Sequence, residues 1–116
     1  MAKILLVGYV RELIEEKHDV LRIGGHEVTL ATRLHEACQA AKQQAFDLAV
    51  LEFSIPEIER NQLARAIKRQ RPYTKIIMLY FARTGHTECA DVLLHANVRP
   101  EELLRAVNYI INAKDK

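Results

Sequence analysis

His35 and Cys38 stand three residues apart, as do His86 and Cys89. Four such nitrogen and sulfur ligands are the donor set of a tetrahedral zinc site. A helical stretch and two strand-like runs separate the pairs, which argues against their meeting at one ion, and no metal is expected. His18, His26 and His95 lack ligand spacing and read as surface histidines. No serine or cysteine nucleophile has a sequence neighbour that would serve as its base, so no catalytic residue is assigned. The remaining candidate is Glu52. It interrupts the apolar run Leu48 to Phe53 and is followed by Ile55-Pro56, where a proline leaves a central strand. Its carboxylate therefore sits at the carboxyl end of a strand.

The elements that would position Glu52 follow from periodicity. Lys3 to Val7 is a short continuous apolar run, as in a strand buried on both faces, and Gly8 interrupts it. Leu13, Ile14, Lys17, Val20 and Leu21 recur at helical spacing until Gly24-Gly25 supplies a stop. His26 to Ala31 alternates and carries the β-formers Val28 and Thr29, whereas Leu34, Ala37, Cys38 and Ala41 repeat at three and four residues. After the strand ending near Glu52, Ile58, Leu63, Ala66 and Ile67 mark a third helix closed by Pro72, and Lys75 to Phe81 reads as a fourth strand. Residues 82–91 are short, polar and broken by Gly85, so a loop or about one helical turn is expected there. Val92 to Leu94 is a short fifth strand, and Pro100 opens a last helix with Glu101 and Glu102 in its positive first turn.

Strands alternating with helices predict an α/β fold, a parallel sheet covered on both faces. Ligands of such folds bind beyond the carboxyl ends of the strands. With 116 residues, 49% hydrophobic and 28% charged, the chain reads as one domain over 1–116 whose core needs no disulfide or metal staple. Basic residues outnumber acidic ones 17 to 15, a formal charge of +2, too small and too evenly spread to imply nucleic acid or an anionic membrane. The cluster Lys68, Arg69, Arg71 and Lys75 reads as a solvated helix end, its cations set against the carboxyl-terminal dipole. No apolar run approaches the ~20 residues of a membrane span, and Lys3 followed by four apolar residues and Gly8 is not a signal peptide. The cytoplasm is expected, with Cys38 and Cys89 as reduced thiols. A dinucleotide site is excluded because Tyr9-Val10-Arg11-Glu12, not a glycine-rich turn, follows Gly8.

The order of elements, with Lys3-Ile-Leu-Leu-Val7, Asp47-Leu-Ala-Val-Leu-Glu-Phe-Ser-Ile-Pro56 and Val98-Arg-Pro-Glu-Glu-Leu103, resembles the receiver domain of bacterial two-component response regulators. The resemblance covers essentially the whole chain. It implies a three-layer, doubly wound sheet of flavodoxin or CheY-like type, strand order 2-1-3-4-5. The helix between strands four and five would be shortened or lost, because the connection is roughly six residues shorter than the family's, over one and a half turns. The resemblance also implies a phosphoacceptor pocket, degenerate at each position here. Gly8 and Tyr9 replace the acid pair that would hold magnesium. Glu52 replaces the acceptor aspartate, one methylene too long for in-line transfer. Tyr80 stands for the hydroxyl residue, Ala96 for the lysine, Asn97 for the proline after it, and Leu93 for the aromatic switch.

The chain is thus expected to be a pseudo-receiver that takes up no phosphoryl group in the usual way and needs no cofactor. It would be a non-catalytic interaction module of bacterial signalling, either stand-alone or the amino-terminal domain of a longer regulator. Its partners would be proteins of its pathway, a second copy included, with neither nucleic acid nor membrane. Glu52 could mimic a bound phosphate, but with the answering lysine gone the expectation is a carboxylate exposed at the strand end or bonded to nearby backbone amides. Tyr9 and Tyr80 are expected to fill the vacated pocket; the alternative is a small-ligand sensor formed by both with Glu52.

Overall fold

The computed structural model describes residues 1–81 and 89–113. Along the chain run β1 (Lys3–Val7), α1 (Arg11–Ile23), β2 (Glu27–Ala31), α2 (Leu34–Gln43), β3 (Leu48–Leu51), α3 (Glu57–Gln70), β4 (Lys75–Tyr80), β5 (Val92–His95) and α4 (Pro100–Ala113). All pairings are parallel, in the order β2-β1-β3-β4-β5, as expected. Side chains of a strand alternate between faces, and each face of the sheet has its own core. Leu5, Val7, Ala49, Leu51, Ile76 and Met78 pack against α2 and α3 through Ala37, Leu63 and Ile67. Ile4, Leu6, Leu48, Val50, Ile77 and Leu79 pack against α1 and α4 through Ile14, Leu21, Leu103 and Val107. Continuous apolar runs are what such doubly covered strands require.

The end of α1 shows how local chemistry fixes the register. His26 N–H bonds to Leu21 O and Gly25 N–H to Arg22 O, the paired bonds of a Schellman cap, with Gly25 at φ +97. An L side chain is disfavoured at that dihedral. The turn delivers β2 directly beside β1.

Several expectations need correction, among them the fourth strand, which ends at Tyr80 rather than Phe81. The third strand ends at Leu51 rather than Phe53, because Ile55 N–H turns back to Glu52 O. The fifth strand runs one residue further, to His95. His26 is half-buried rather than a surface histidine: Nδ1 accepts the Ala2 N–H at 3.1 Å and Nε2 lies 2.8 Å from Asn108 Oδ1. The basic helix end is a set of tethers. Lys68 Nζ donates to Thr74 O at 2.7 Å and pairs with Asp91 at 2.9 Å, while Arg71 donates to Ala41 O at 2.9 Å. Residues 81–91 link β4 to β5; the loop or single helical turn expected over 82–91 falls mostly on positions 82–88, which lie outside the described residues.

Candidate functional site at the carboxyl edge

Gly8 and Glu52 each continue their strand by one hydrogen bond. Gly8 N–H donates to Ala31 O at 3.1 Å and Glu52 N–H to Val7 O at 2.9 Å. Alternation then turns Glu52 toward the α1 face, and its side chain is fully buried. This overturns the expectation of an exposed carboxylate. One oxygen, Oε1, accepts the Ser54 N–H at 3.2 Å, so a bond to a nearby amide is present. The other, Oε2, accepts no hydrogen bond but lies 3.3 Å from the ammonium of Lys17, itself buried on α1. Lys17 Nζ also donates to Leu13 O at 3.0 Å, which fixes its position.

Room for this arrangement comes from Gly8. A Cβ there would lie 2.6 Å from Ile14 Cγ2 and 2.9 Å from Glu52 Cβ, closer than real carbons approach. On the far side, Arg60 of α3 donates from Nη1 to Leu79 O at 2.9 Å, at the end of β4. Burial pushes the Arg60 pKa down, while attraction to Glu57 and Glu52 pulls it back. Lys17 is thus the cation in contact with the buried carboxylate.

Tyr9 takes the opposite face. Its N–H donates to Ser54 Oγ at 2.9 Å and its hydroxyl to Glu59 Oε1 at 2.7 Å, and its ring packs on the core beneath α2 and α3. Burial first, and the Glu59 carboxylate second, push its phenol pKa above the ordinary value. Tyr80 and Ala96 meet through the backbone, Ala96 N–H to Tyr80 O at 2.7 Å. The Tyr80 ring meets His95 edge-on with centroids 5.6 Å apart. Ala96 is buried, and Leu93 packs on the α3 side. Gly8 and Glu52 are therefore in contact, whereas Tyr9 and Glu52 point to opposite faces of the sheet.

These residues do not fit a magnesium ion. A hard cation takes several oxygen ligands, yet position 8 offers no side chain, Tyr9 is bonded to Glu59, and Glu52 is turned inward to an ammonium. His35 and Cys38 lie on α2, Cys89 is exposed, and His86 is outside the described residues. Among the described residues no three His, Cys, Asp or Glu side chains are placed to share a metal ion. Lys17 is the site residue that sequence reasoning missed. A lysine inside the apolar stripe of α1 was the available signal, since a buried ammonium requires an anion.

No family model matches the chain. Over 78 residues, 67% of its length, it is 30% identical to the response regulator protein FleR of Pseudomonas aeruginosa, of whose length it spans 16%. The crystal structure of a CheY-like response regulator receiver domain protein from Methanospirillum hungatei superimposes with a TM-score of 0.90 at 21% identity, over 99% of this chain and 97% of that one. This chain has the receiver fold. A two-component response regulator from Clostridium difficile matches the same fold at a TM-score of 0.88, 18% identical over all of both chains. Among the described residues no helix of this receiver-like domain is long and apolar enough to cross a membrane.

Proposed function

We propose that this domain is a pseudo-receiver of bacterial two-component signalling, a protein-interaction module outside ordinary phosphotransfer. The observation that carries the reading is the state of Glu52. Its carboxylate is buried, bonded to Ser54 N–H and paired with Lys17, so no oxygen is presented at the edge as a nucleophile. Phosphoryl transfer proceeds by positioning and by neutralising charge on the transferred group, and Gly8, Tyr9 and Ala96 offer neither a metal ligand nor a lysine there. The same inward turn disfavours the small-ligand sensor, which needs Glu52 beside Tyr9. Proteins of the pathway, a second copy among them, are the partners this reading assigns, in the cytoplasm. The internal use of Lys68 and Arg71 supports a domain that makes no nucleic-acid contact of its own.

Incubation with acetyl phosphate and Mg²⁺, followed by intact-mass measurement, tests the proposal. The mass is expected to stay unchanged, for wild type and for Glu52→Asp alike, because restoring the shorter acid restores neither metal ligands nor lysine. A gain of one phosphoryl group that disappears in Glu52→Gln overturns it.

A further inference from the structure

Glu52 belongs to the degenerate pocket, but its surroundings do more than lack chemistry. The carboxylate is held from two directions. The Lys17 ammonium lies 3.3 Å from Oε2, and Ser54 N–H lies 3.2 Å from Oε1. Each group is fixed by a bond other than the one to Glu52, or by the backbone. Lys17 is held by Leu13 O, and Ser54 through its hydroxyl by Tyr9 N–H. A polar set positioned independently of its ligand is a binding site, whether or not the ligand is covalently attached.

We infer that Glu52 is a tethered anion seated in a cationic cradle, in which Lys17 is the principal counter-charge and Gly8 supplies the space. The chemical class the cradle takes is a small monovalent carboxylate. A glutamate reaches it from the end of β3 by passing over Gly8, where any Cβ would strike its own Cβ at 2.9 Å. Three residues far apart in sequence are therefore mutually dependent. The glycine makes the path, the lysine makes the destination, and the glutamate joins them. The consequence is that the loop after β3 is pinned to α1 from within, by a charge no kinase adds or removes. This deepens the reading of the domain as a pseudo-receiver and rests on it. Phosphorylation of the wild type would defeat that reading, whereas the formate and Lys17 responses below read the cradle by itself.

The experiment removes the tether and supplies the anion. In Glu52→Ala, thermal unfolding is expected to shift down by roughly 10 °C, the order of loss when one partner of a buried pair is removed. Sodium formate should recover part of that shift in a saturable way, whereas sodium chloride at the same ionic strength should not. Adding Lys17→Met to Glu52→Ala should raise the midpoint, because the unpaired buried ammonium is gone, and should abolish the response to formate. If Glu52→Ala does not fold, Glu52→Gln keeps the shape and loses the charge, and Lys17→Met is then expected to stabilise Glu52→Gln while destabilising the wild type. Equal responses to formate and chloride in folded Glu52→Ala, or a Lys17→Met effect of the same sign and size with and without Glu52, would overturn the inference.

Discussion

A carboxylate and an ammonium brought out of water together lose hydration that their attraction only partly returns, and breaking such a pair by removing one partner is worse than never having had it. Glu52 and Lys17 persist because further bonds hold them, to Ser54 N–H and Leu13 O. Gly8 is the weak point of this arrangement. Gly8→Ala places a methyl 2.6 Å from Ile14 Cγ2 and 2.9 Å from Glu52 Cβ, and overpacking of this kind costs about 1–3 kcal/mol. Urea unfolding should register that loss. Gly8→Asp, which restores the acid a metal site would use, should cost at least as much and still give no saturable Mg²⁺-dependent amide shifts, because Glu52 remains committed to Lys17. Saturable shifts at Tyr9 and Glu52 would show that the carboxylate turns outward once a metal ligand is offered. Glu52 itself was legible from the apolar run that it interrupts and from Pro56 beyond it. The direction of its carboxylate was not, because that depends on a missing side chain at position 8 and on a lysine whose place in an apolar stripe looked like packing.

At the scale of elements, most of the architecture was legible, because a strand covered on both faces must be apolar throughout and a helix on such a sheet must be apolar on one side. Runs such as Lys3 to Val7 beside stripes such as Leu103, Leu104, Val107 and Ile110 leave few topologies open. The ties between elements were hidden. Lys68 and Arg71 look like surface residues in the sequence and Tyr9 like pocket filling, yet each bonds to a distant part of the chain. The Tyr9 tie has a pH signature. Burial and the Glu59 carboxylate raise the folded-state pKa of the phenol, whereas in the unfolded chain it ionises near 10. The contribution is therefore complete below that pH and is lost as pH rises toward the folded-state value, since the unfolded chain releases its proton first. Wild type should lose stability as pH rises above about 10. Tyr9→Phe should lose less over that range, after a loss of about 1 kcal/mol at neutral pH. Parallel urea midpoints for the two proteins against pH would contradict this.

Across the whole molecule, the two ends of the described chain meet at His26. The Ala2 N–H donates to Nδ1 at 3.1 Å, so the proton of the neutral ring is on Nε2 and is donated to Asn108 Oδ1 at 2.8 Å. One imidazole thus ties the approach to β1, the turn after α1 and the last helix. It does so on the face where α1 and α4 cover the sheet. Because these partners are far apart in sequence, the bonds form only when the sheet and both helices are in place, and their loss should be felt by the whole cooperative unit rather than by a fraying end. His26→Ala and Asn108→Ala are each expected to cost about 1–2 kcal/mol in urea unfolding, with the slope of the transition unchanged. The double variant should cost less than the two together, since either single change already removes the shared bond. Additive losses would mean that the two side chains act separately, and a changed slope would mean that α4 detaches before the sheet unfolds.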